Sequence, residues 1–195
     1  MISAILLAAG QSKRMIDENK LTKEFKNIPL IKHSVNNILS SNIDELIIVL
    51  GYQKKIVQNI LGENSKIKFV TNENFSDGMS TSIKSGLKYL SDNSEAFFIC
   101  LGDMPFINKK IYNHLINSRI DNHIVVPTYK NKQANPVLFP KVMQTSIMSI
   151  SGDSGAKKIL EENKNNILNI KIDDIGITKD FNTKDDFNSS FNKKN

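Results

Sequence analysis

The fold is decided by the stretch Ser3-Ala4-Ile5-Leu6-Leu7-Ala8-Ala9-Gly10-Gln11-Ser12-Lys13-Arg14-Met15, in which an apolar run stops at a glycine and cations follow. Residues 5–7 have the continuous apolar character of a strand that is covered on both faces of a parallel sheet. Ala8 and Ala9 keep the end of this strand free of bulk, and Gly10 allows backbone dihedral angles that are closed to other residues. We therefore expect backbone amides at this point to approach a ligand closely.

Positive charge gathers just beyond this strand. Lys13, Arg14 and Lys20 follow Gly10 in the sequence, and open parallel sheets bind their ligands at the carboxyl ends of the strands. A polyphosphate is the expected ligand of such a basic loop. The alternative is an ordinary first strand with a solvated basic turn, because neither G-x-x-x-x-G-K-[ST] nor G-x-G-x-x-G is present.

The composition predicts one globular domain. The chain has 195 residues, of which 39% are hydrophobic and 24% charged, and this balance excludes an intrinsically disordered protein. The only cysteine, Cys100, lies inside an apolar run, which indicates a packed thiol and a reducing compartment. The sequence shows neither a signal peptide nor a membrane span, so we expect a cytoplasmic protein without a membrane partner.

The net charge of +6 raises the possibility of a nucleic-acid partner. However, the lysines are spread along the whole chain, and no run alternates them with aromatic residues as single-strand binders do. A moderate positive field equally attracts a nucleoside triphosphate or another phosphorylated small molecule. We therefore expect a small-molecule partner and no nucleic acid.

Short apolar strands alternate with amphipathic helices along the chain. The pattern predicts strands over residues 44–51, 66–70, 96–101, 123–127 and 169–172, and helices over 31–39, 56–61, 83–90, 107–116 and from 184 onward. This alternation is typical of right-handed βαβ units. The expected fold is a single α/β domain over residues 1–187, with a Rossmann-like, three-layer, mostly parallel sheet, followed by a polar tail over 188–195.

Two polar segments follow predicted strands. Asp103 stands where the 96–101 strand ends, and a carboxylate that faces phosphates needs a hard cation such as Mg²⁺ between them. A turn or helix cap is the alternative for this residue. Between residues 72 and 82, Ser80 or Thr81 is expected to cap the following helix, whose free amides could also contact a ligand.

The first loop, Leu7-Ala8-Ala9-Gly10-x-Ser12-x-Arg14-Met15 followed by Lys20, resembles the signature loop of the MobA-like nucleotidyltransferases. It is closest to their molybdenum cofactor cytidylyltransferase branch, in which Ala-Ala-Gly stands where the guanylyltransferase branch has Ala-Gly-Gly. Further segments match in the same order: Gly78-x-Ser80-x-Ser82, Gly102-Asp103-Met104-Pro105, Asn135-Pro136-Val137-Leu138-Phe139, Gly152-Asp153-Ser154-Gly155-Ala156-Lys157 and Asp180-Phe181-Asn182-Thr183. Three residues depart from the family pattern: Ile16 replaces a Gly, Lys157 an Arg and Asn182 an Asp.

The resemblance implies a fold like that of the nucleotide-diphospho-sugar transferases. It also implies transfer of CMP from CTP to the phosphate of molybdopterin cofactor, with release of pyrophosphate. The implied site residues fall into four groups: catalytic Arg14, Lys20 and Asp103; nucleotide-binding Leu7, Ala8, Ala9, Gly10, Ser12, Arg14, Lys20, Gly78, Ser80, Ser82 and Gly102; acceptor-binding Asn135, Pro136, Asp153, Gly155 and Lys157; and metal-binding Asp103, Asn182 and Asp180, with Mg²⁺ or Mn²⁺ as the ion.

Two alternatives remain open at this point. A related transferase could use GTP or act on a sugar phosphate or alcohol phosphate. The chain could also be a non-catalytic nucleotide-binding protein that delivers cofactor to a molybdoenzyme apoprotein. Arg14, Lys20 and Asp103 favour catalysis, because they are the charged residues that the reaction needs.

Overall fold

The structure is a computed structural model that describes residues 1–12, 19–153 and 155–189. Its strands are β1 (Ile2–Ala8), β2 (Glu24–Phe25), β3 (Ile28–Pro29), β4 (Glu45–Leu50), β5 (Ile67–Thr71), β6 (Ala96–Leu101), β7 (Ile124–Tyr129), β8 (Lys132–Gln133), β9 (Val137–Pro140) and β10 (Ile167–Lys171). Its α-helices are α1 (Leu30–Leu39), α2 (Lys54–Leu61), α3 (Met79–Leu87), α4 (Lys109–Asn117), α5 (Gln144–Met148), α6 (Lys157–Glu162) and α7 (Lys184–Ser189).

The main sheet has the strand order β10-β7-β9-β6-β1-β4-β5, with β8 paired to β7. The first strand, β1, runs parallel to both of its neighbours, β4 and β6. β9 runs antiparallel to both of its neighbours, β6 and β7, and the short β8 runs antiparallel to β7. The predicted mostly parallel α/β fold is therefore confirmed.

Helices cover both faces of the sheet. On one face α1, α2 and α4 pack on alternate residues of β1, such as Ala4 and Leu6. On the other face α3, α5 and α6 pack on Ile5 and its neighbours. All of these β1 side chains are completely buried, as the continuous apolar run predicts for a strand between two helical layers. The result is the predicted three-layer arrangement.

The register of the parallel strands aligns their carboxyl ends. Leu7 of β1 lies opposite Leu101 of β6 and Val49 of β4. The loops that follow these three strands therefore leave the sheet at one edge. Gly10 and Asp103 are brought to the same edge, as predicted.

Three short segments join or extend these elements. Residues Ile28–Pro29 form β3, which pairs with β2, and Leu30 already begins α1. Within the segment 135–139, residues from Val137 onward belong to β9, an antiparallel strand that lies inside the sheet between β6 and β7. Residues 188 and 189 of the predicted tail extend α7, and 190–195 lie outside the described residues.

A small aromatic cluster lies apart from the two main cores. It consists of Phe25, Leu30, Phe181 and Phe187, with the partly buried Phe106 beside them. Phe25 and Phe181 have ring centroids 4.9 Å apart. The cluster joins the β2–β3 hairpin to the segment that precedes α7, although these parts are distant in the sequence.

Cys100 is buried, and its sulfur accepts a hydrogen bond from the Tyr112 hydroxyl at 3.7 Å. Burial raises the pKa of the Cys100 thiol to about 12, so the thiol stays protonated and packs as an apolar group. None of the helices within the described ranges has the length and apolar run needed to span a bilayer.

Candidate nucleotide-binding site

A cavity of about 440 Å³ opens at the carboxyl edge of the sheet. Its walls come from the loop after β1, the loop after β6, the start of α3 and the segments around residues 153 and 182. The described residues that line it are Leu7, Ala9, Gly10, Gln11, Ser12, Lys20, Leu21, Phe75, Ser76, Gly78, Met79, Ser82, Leu101, Gly102, Asp103, Asp153 and Asn182. This size is within the range of small-molecule sites.

The loop after β1 supplies one wall. Gly10 is exposed, and a Cβ added there would meet nothing within 4 Å. Ser12 has a φ of 54° and its hydroxyl accepts a hydrogen bond from the Lys20 backbone amide at 3.1 Å. Ala9 lines the cavity, whereas the side chain of Ala8 is buried in the core. Ala8 can therefore contact a ligand only through its backbone.

Lys20 is the centre of a small polar cluster in the cavity. Its ammonium donates to Asp103 Oδ2 at 2.6 Å and to Asn182 Oδ1 at 3.0 Å. The side chains of Lys20 and Asp103 are only 17% and 14% exposed, so water screens this ion pair far less than a surface pair. The structure thus brings together Lys20, Asp103 and Asn182, which are separated by 162 positions at their extremes.

The other carboxylate oxygen of Asp103, Oδ1, is buried and makes no hydrogen bond within the described part of the chain. A buried carboxylate oxygen without a donor is costly, and a hard cation would satisfy it. The residues present therefore fit Mg²⁺ or Mn²⁺, with Asp103 as the anionic ligand and Asn182 as a neutral oxygen beside it.

Asp180 contacts the side chain of Asn182. Its carboxylate accepts a hydrogen bond from Asn182 Nδ2 at 2.6 Å, which orients the Asn182 carbonyl oxygen toward Lys20. Within the described ranges no group of three or more His, Cys, Asp or Glu side chains is placed to hold a metal. A metal in this cavity would consequently need substrate oxygens to complete its coordination.

The backbone around Asp103 is held by three hydrogen bonds. Gly102 N donates to Leu7 O at 3.1 Å, the Ser34 hydroxyl donates to Gly102 O at 3.0 Å, and Phe181 N donates to Asp103 O at 3.1 Å. Ser34 is buried on α1 and has no motif around it, so sequence reasoning missed it. These contacts fix where the Asp103 carboxylate points.

Asp186 holds the turn that contains Asn182. Asp186 Oδ2 accepts hydrogen bonds from the backbone amides of Asn182 and Thr183 at 2.8 and 2.7 Å, and from the Thr183 hydroxyl at 3.0 Å. Partial burial acts to raise the pKa of Asp186, but these hydrogen bonds outweigh it and hold the pKa below its usual value. Asp186 stabilises the turn that presents Asn182, and sequence reasoning assigned it no role.

The start of α3 differs from the prediction. The helix begins at Met79 after Gly78, so the predicted cap by Ser80 or Thr81 is wrong. Asp153 Oδ1 instead accepts a hydrogen bond from Met79 N at 3.0 Å, and Gly152 O accepts one from Ser80 N at 3.1 Å. A partner from 74 positions away caps this helix, which no local pattern could reveal.

The predicted nucleotide-binding residues of this segment separate into two groups. Gly78 and Ser82 line the cavity. Ser80 is buried and lies outside the cavity wall. Ser82 accepts a hydrogen bond from Asn72 Nδ2 at 3.0 Å. Its own hydroxyl donates to none of the described residues, so it can donate to a ligand.

A smaller hollow of about 210 Å³ lies beside the main cavity. Its described lining consists of Leu101, Met104, Gln133, Ala134, Asn135, Ile177, Thr178 and Asp180. Asn135, one of the predicted acceptor-binding residues, lines this hollow, whereas Pro136 does not. Leu101 borders both spaces, so a molecule in the hollow would lie next to one in the main cavity.

The remaining predicted acceptor residues lie elsewhere. Asp153 lines the main cavity, and Gly155 packs beside Met79, where an added Cβ would lie 3.0 Å from the Met79 sulfur. Lys157 is 77% exposed, pairs with Glu161 at 3.8 Å and lines neither space. Arg14, Ile16 and Ser154 lie outside the described residues.

Comparison with known proteins gives a consistent picture. Residues 4–167 match the MobA-like NTP transferase domain family. A probable molybdenum cofactor guanylyltransferase from Methanosarcina mazei is 27% identical over 172 residues, which cover 85% of this chain and 71% of the relative. The bifunctional protein GlmU from Staphylococcus epidermidis is 24% identical over 142 residues. That match covers 72% of this chain, and the chain spans only 31% of the length of this GlmU relative.

Solved structures share the fold over almost the whole chain. Rv0371c from Mycobacterium tuberculosis superposes with a TM-score of 0.86 at 20% identity, covering 97% of this chain and 96% of that one. Its complex with manganese gives a TM-score of 0.81 at 18% identity, with 96% of each chain covered. A nucleotidyl transferase from Methanothermobacter gives 0.84 at 17% identity, covering 97% and 95%. At these identities the likeness shows a common fold.

Proposed function

We propose that this chain, which belongs to the MobA-like NTP transferase domain family, is a nucleotidyltransferase that transfers CMP from CTP to the phosphate of molybdopterin cofactor. In this reaction an oxygen of the acceptor phosphate attacks the α-phosphorus of CTP. The bond to the β-phosphate breaks, and pyrophosphate leaves. The acceptor phosphate is already a nucleophile, so the reaction needs orientation and charge neutralisation more than a general base.

The observation that carries this proposal is the meeting of Lys20, Asp103 and Asn182 in the cavity beside Gly10. Lys20 supplies a partly buried ammonium for the triphosphate, and the resemblance of the first loop assigns Arg14 to the same task. Gly10 leaves the loop backbone open for phosphate oxygens. Each of these groups stabilises negative charge that moves onto the pyrophosphate.

The divalent cation would be held by Asp103 with Asn182. When bound, such an ion neutralises phosphate charge and polarises the phosphoryl oxygens. Asp180 would act indirectly, because its carboxylate fixes the Asn182 amide. The manganese complex of the structurally similar Rv0371c supports a divalent ion in this fold.

We assign the acceptor to the smaller hollow. Gln133, Asn135 and Thr178 offer amide and hydroxyl groups there, and Met104 and Ile177 offer apolar surface. This mixture suits a polar ring system such as a pterin. The acceptor phosphate would then reach the main cavity past Leu101. The product would pass to a molybdoenzyme apoprotein.

GTP is the second candidate for the nucleotide. The Methanosarcina mazei relative is named as a guanylyltransferase, which favours GTP. Ala9 favours CTP by resemblance to the cytidylyltransferase branch. Two structural neighbours with the same fold have names that refer to cytidine nucleotides. They are a 4-diphosphocytidyl-2C-methyl-D-erythritol synthase and a CMP:2-keto-3-deoxy-manno-octonic acid synthetase complexed with CTP.

Pyrophosphate release tests the proposal. It is measured with CTP, GTP, UTP and ATP in the presence of Mg²⁺, with and without molybdopterin cofactor. We expect release with CTP that depends on the cofactor. Faster release with GTP would assign the chain to the guanylyl branch. Nucleotide binding without any release would instead indicate a non-catalytic carrier.

A further inference from the structure

The loop around residue 153 crosses the start of α3. Asp153 Oδ1 accepts from Met79 N at 3.0 Å, and Gly152 O accepts from Ser80 N at 3.1 Å. Gly78 has a φ of 106°, and a Cβ added there would lie 2.8 Å from the Gly152 carbonyl group. The two segments are therefore in close backbone contact, and the loop belongs to the cavity wall.

Because of this contact, the backbone amides at the start of α3 are not available to bind a phosphate. The first amides of a helix are free donors and carry partial positive charge. Here Met79 N and Ser80 N donate to the 153 loop, and Thr81 N donates to Gly78 O at 3.2 Å. A carboxylate already occupies this end of the cavity, so a triphosphate placed there would meet repulsion instead of attraction.

The charges of the cavity are consequently separated. Lys20 stands with Asp103 beyond the end of β6. Asp153 accepts its hydrogen bond from Met79, which belongs to the segment after β5. Since β1 and β4 lie between β6 and β5 in the sheet, Asp153 is at the opposite side of the cavity from Lys20. If the triphosphate of the proposed reaction lies at the Lys20 side, the Asp153 side is left for the nucleobase. Phe75 and Met79 line the cavity on that side and offer apolar surface to a ring.

We propose that Asp153 is a specificity-determining residue that accepts a hydrogen bond from the amino-bearing edge of the nucleobase. This inference rests on the proposed nucleotidyltransferase function but not on the choice between CTP and GTP. Asp153 lines the cavity; its Oδ1 accepts from Met79 N, and none of the described residues donates a hydrogen bond to its Oδ2. An ionised carboxylate can only accept hydrogen bonds. Cytosine and guanine present an amino group, whereas uracil has a carbonyl oxygen in place of the cytosine amino group, and a carboxylate repels that oxygen.

The test is the Asp153→Asn variant, which keeps an oxygen for Met79 N and removes the charge. Affinities for the Mg²⁺ complexes of CTP, GTP and UTP are measured by calorimetry. We expect the preference for the better of CTP and GTP over UTP to fall about tenfold or more, as for one lost hydrogen bond to a charged group. Asp121→Asn, which removes an exposed carboxylate outside the cavity, should leave this preference unchanged.

Thermal melting separates the two contacts of Asp153. Asp153→Asn should melt near the wild-type temperature, whereas Asp153→Ala should melt lower because it also loses the cap of α3. Nucleotide binding with an unchanged preference in Asp153→Asn would overturn the role of Asp153 alone. A wild-type protein that binds none of the three nucleotides would overturn both this role and the proposed function.

Discussion

Lys20 Nζ lies 2.6 Å from Asp103 Oδ2, although the two residues are 83 positions apart in the sequence. The same ammonium donates to Asn182 Oδ1 at 3.0 Å. Lys20 therefore occupies the space between the two side chains that we propose as ligands of a divalent cation. Nucleotide phosphates would draw the ammonium toward themselves, which would release the Asp103 and Asn182 oxygens. Metal binding should accordingly be weak without nucleotide and firm with it.

The Lys20→Met variant tests this competition. Without the ammonium, Mn²⁺ should bind the nucleotide-free protein more tightly than it binds the wild type, as measured by electron paramagnetic resonance of free Mn²⁺. Turnover should fall about a hundredfold or more, because a donor to the departing pyrophosphate is lost. Lys109→Met, at an exposed position on α4, is the matched control. Equal Mn²⁺ affinity in the two variants would contradict the competition.

Substitutions at Asp103 and Asn182 should separate their contributions. Asp103→Ala should abolish pyrophosphate release at any practical Mg²⁺ concentration, because it removes the only anionic ligand assigned to the ion. Asn182→Ala should be partly rescued by more Mg²⁺ or by Mn²⁺. Asn182→Asp should remain active, since its carboxylate still accepts from Lys20 and can bind the cation, although it loses the hydrogen bond to Asp180. A Mg²⁺ titration of the three variants decides the matter, and full activity in Asp103→Ala would remove the metal site.

Arg14→Ala should slow turnover more than it weakens nucleotide binding. If Arg14 meets charge that develops on the leaving pyrophosphate, its loss should cost about a hundredfold or more in kcat. Steady-state kinetics with a separate measurement of nucleotide affinity distinguishes the cases. Normal kcat with a raised KM would assign Arg14 to ground-state binding.

Gly78→Ala should destabilise the protein by about 2 kcal/mol or more, since a φ of 106° strains any other residue and the new Cβ would meet Gly152 at 2.8 Å. The matched control is Gly62→Ala, where φ is 69° but nothing lies within 4 Å of an added Cβ. The control should lose only the conformational part, about 1 kcal/mol. Urea denaturation of both variants measures the difference. If both variants lost the same free energy of unfolding, the backbone at Gly152 would move away from the new Cβ at little cost.

Asp186 should make stability depend on pH. Its pKa is lowered in the folded protein, so its contribution is fully present above the unfolded value of about 4 and is lost as pH falls through the lowered pKa. Asp186→Ala should cost about 1–2 kcal/mol at neutral pH and much less in strong acid. Melting temperatures of wild type and variant across this range provide the measurement. A difference that stays constant down to strong acid would argue against an ionised Asp186.

Much of the architecture follows from local patterns. The apolar runs of β1 and β6 predict buried parallel strands, and Gly10 and Asp103 therefore meet at one edge of the sheet. The cap of α3 could not be predicted in this way, because Asp153 reaches it from 74 positions away. The burial of Asp103 Oδ1 without a hydrogen-bond partner among the described residues could not be predicted either, nor could the hydrogen bond from Ser34, because both depend on how distant elements pack together. The placement of β9 inside the sheet likewise depends on pairing that the sequence of 135–139 does not encode alone.

The spacing of the Lys20 cluster has a consequence for the order of assembly during synthesis. Lys20 and Asp103 can meet once β6 and the loop after it have emerged, but Asn182 arrives 162 positions after Lys20. Phe181, which anchors that late segment, packs against Phe25 from the earliest part of the chain. Contacts of such long range form late, because a large loop must close first. A nascent chain that ends before residue 181 would have Lys20 and Asp103 in the cavity but not Asn182. Metal binding that depends on nucleotide would therefore show that the chain has folded completely.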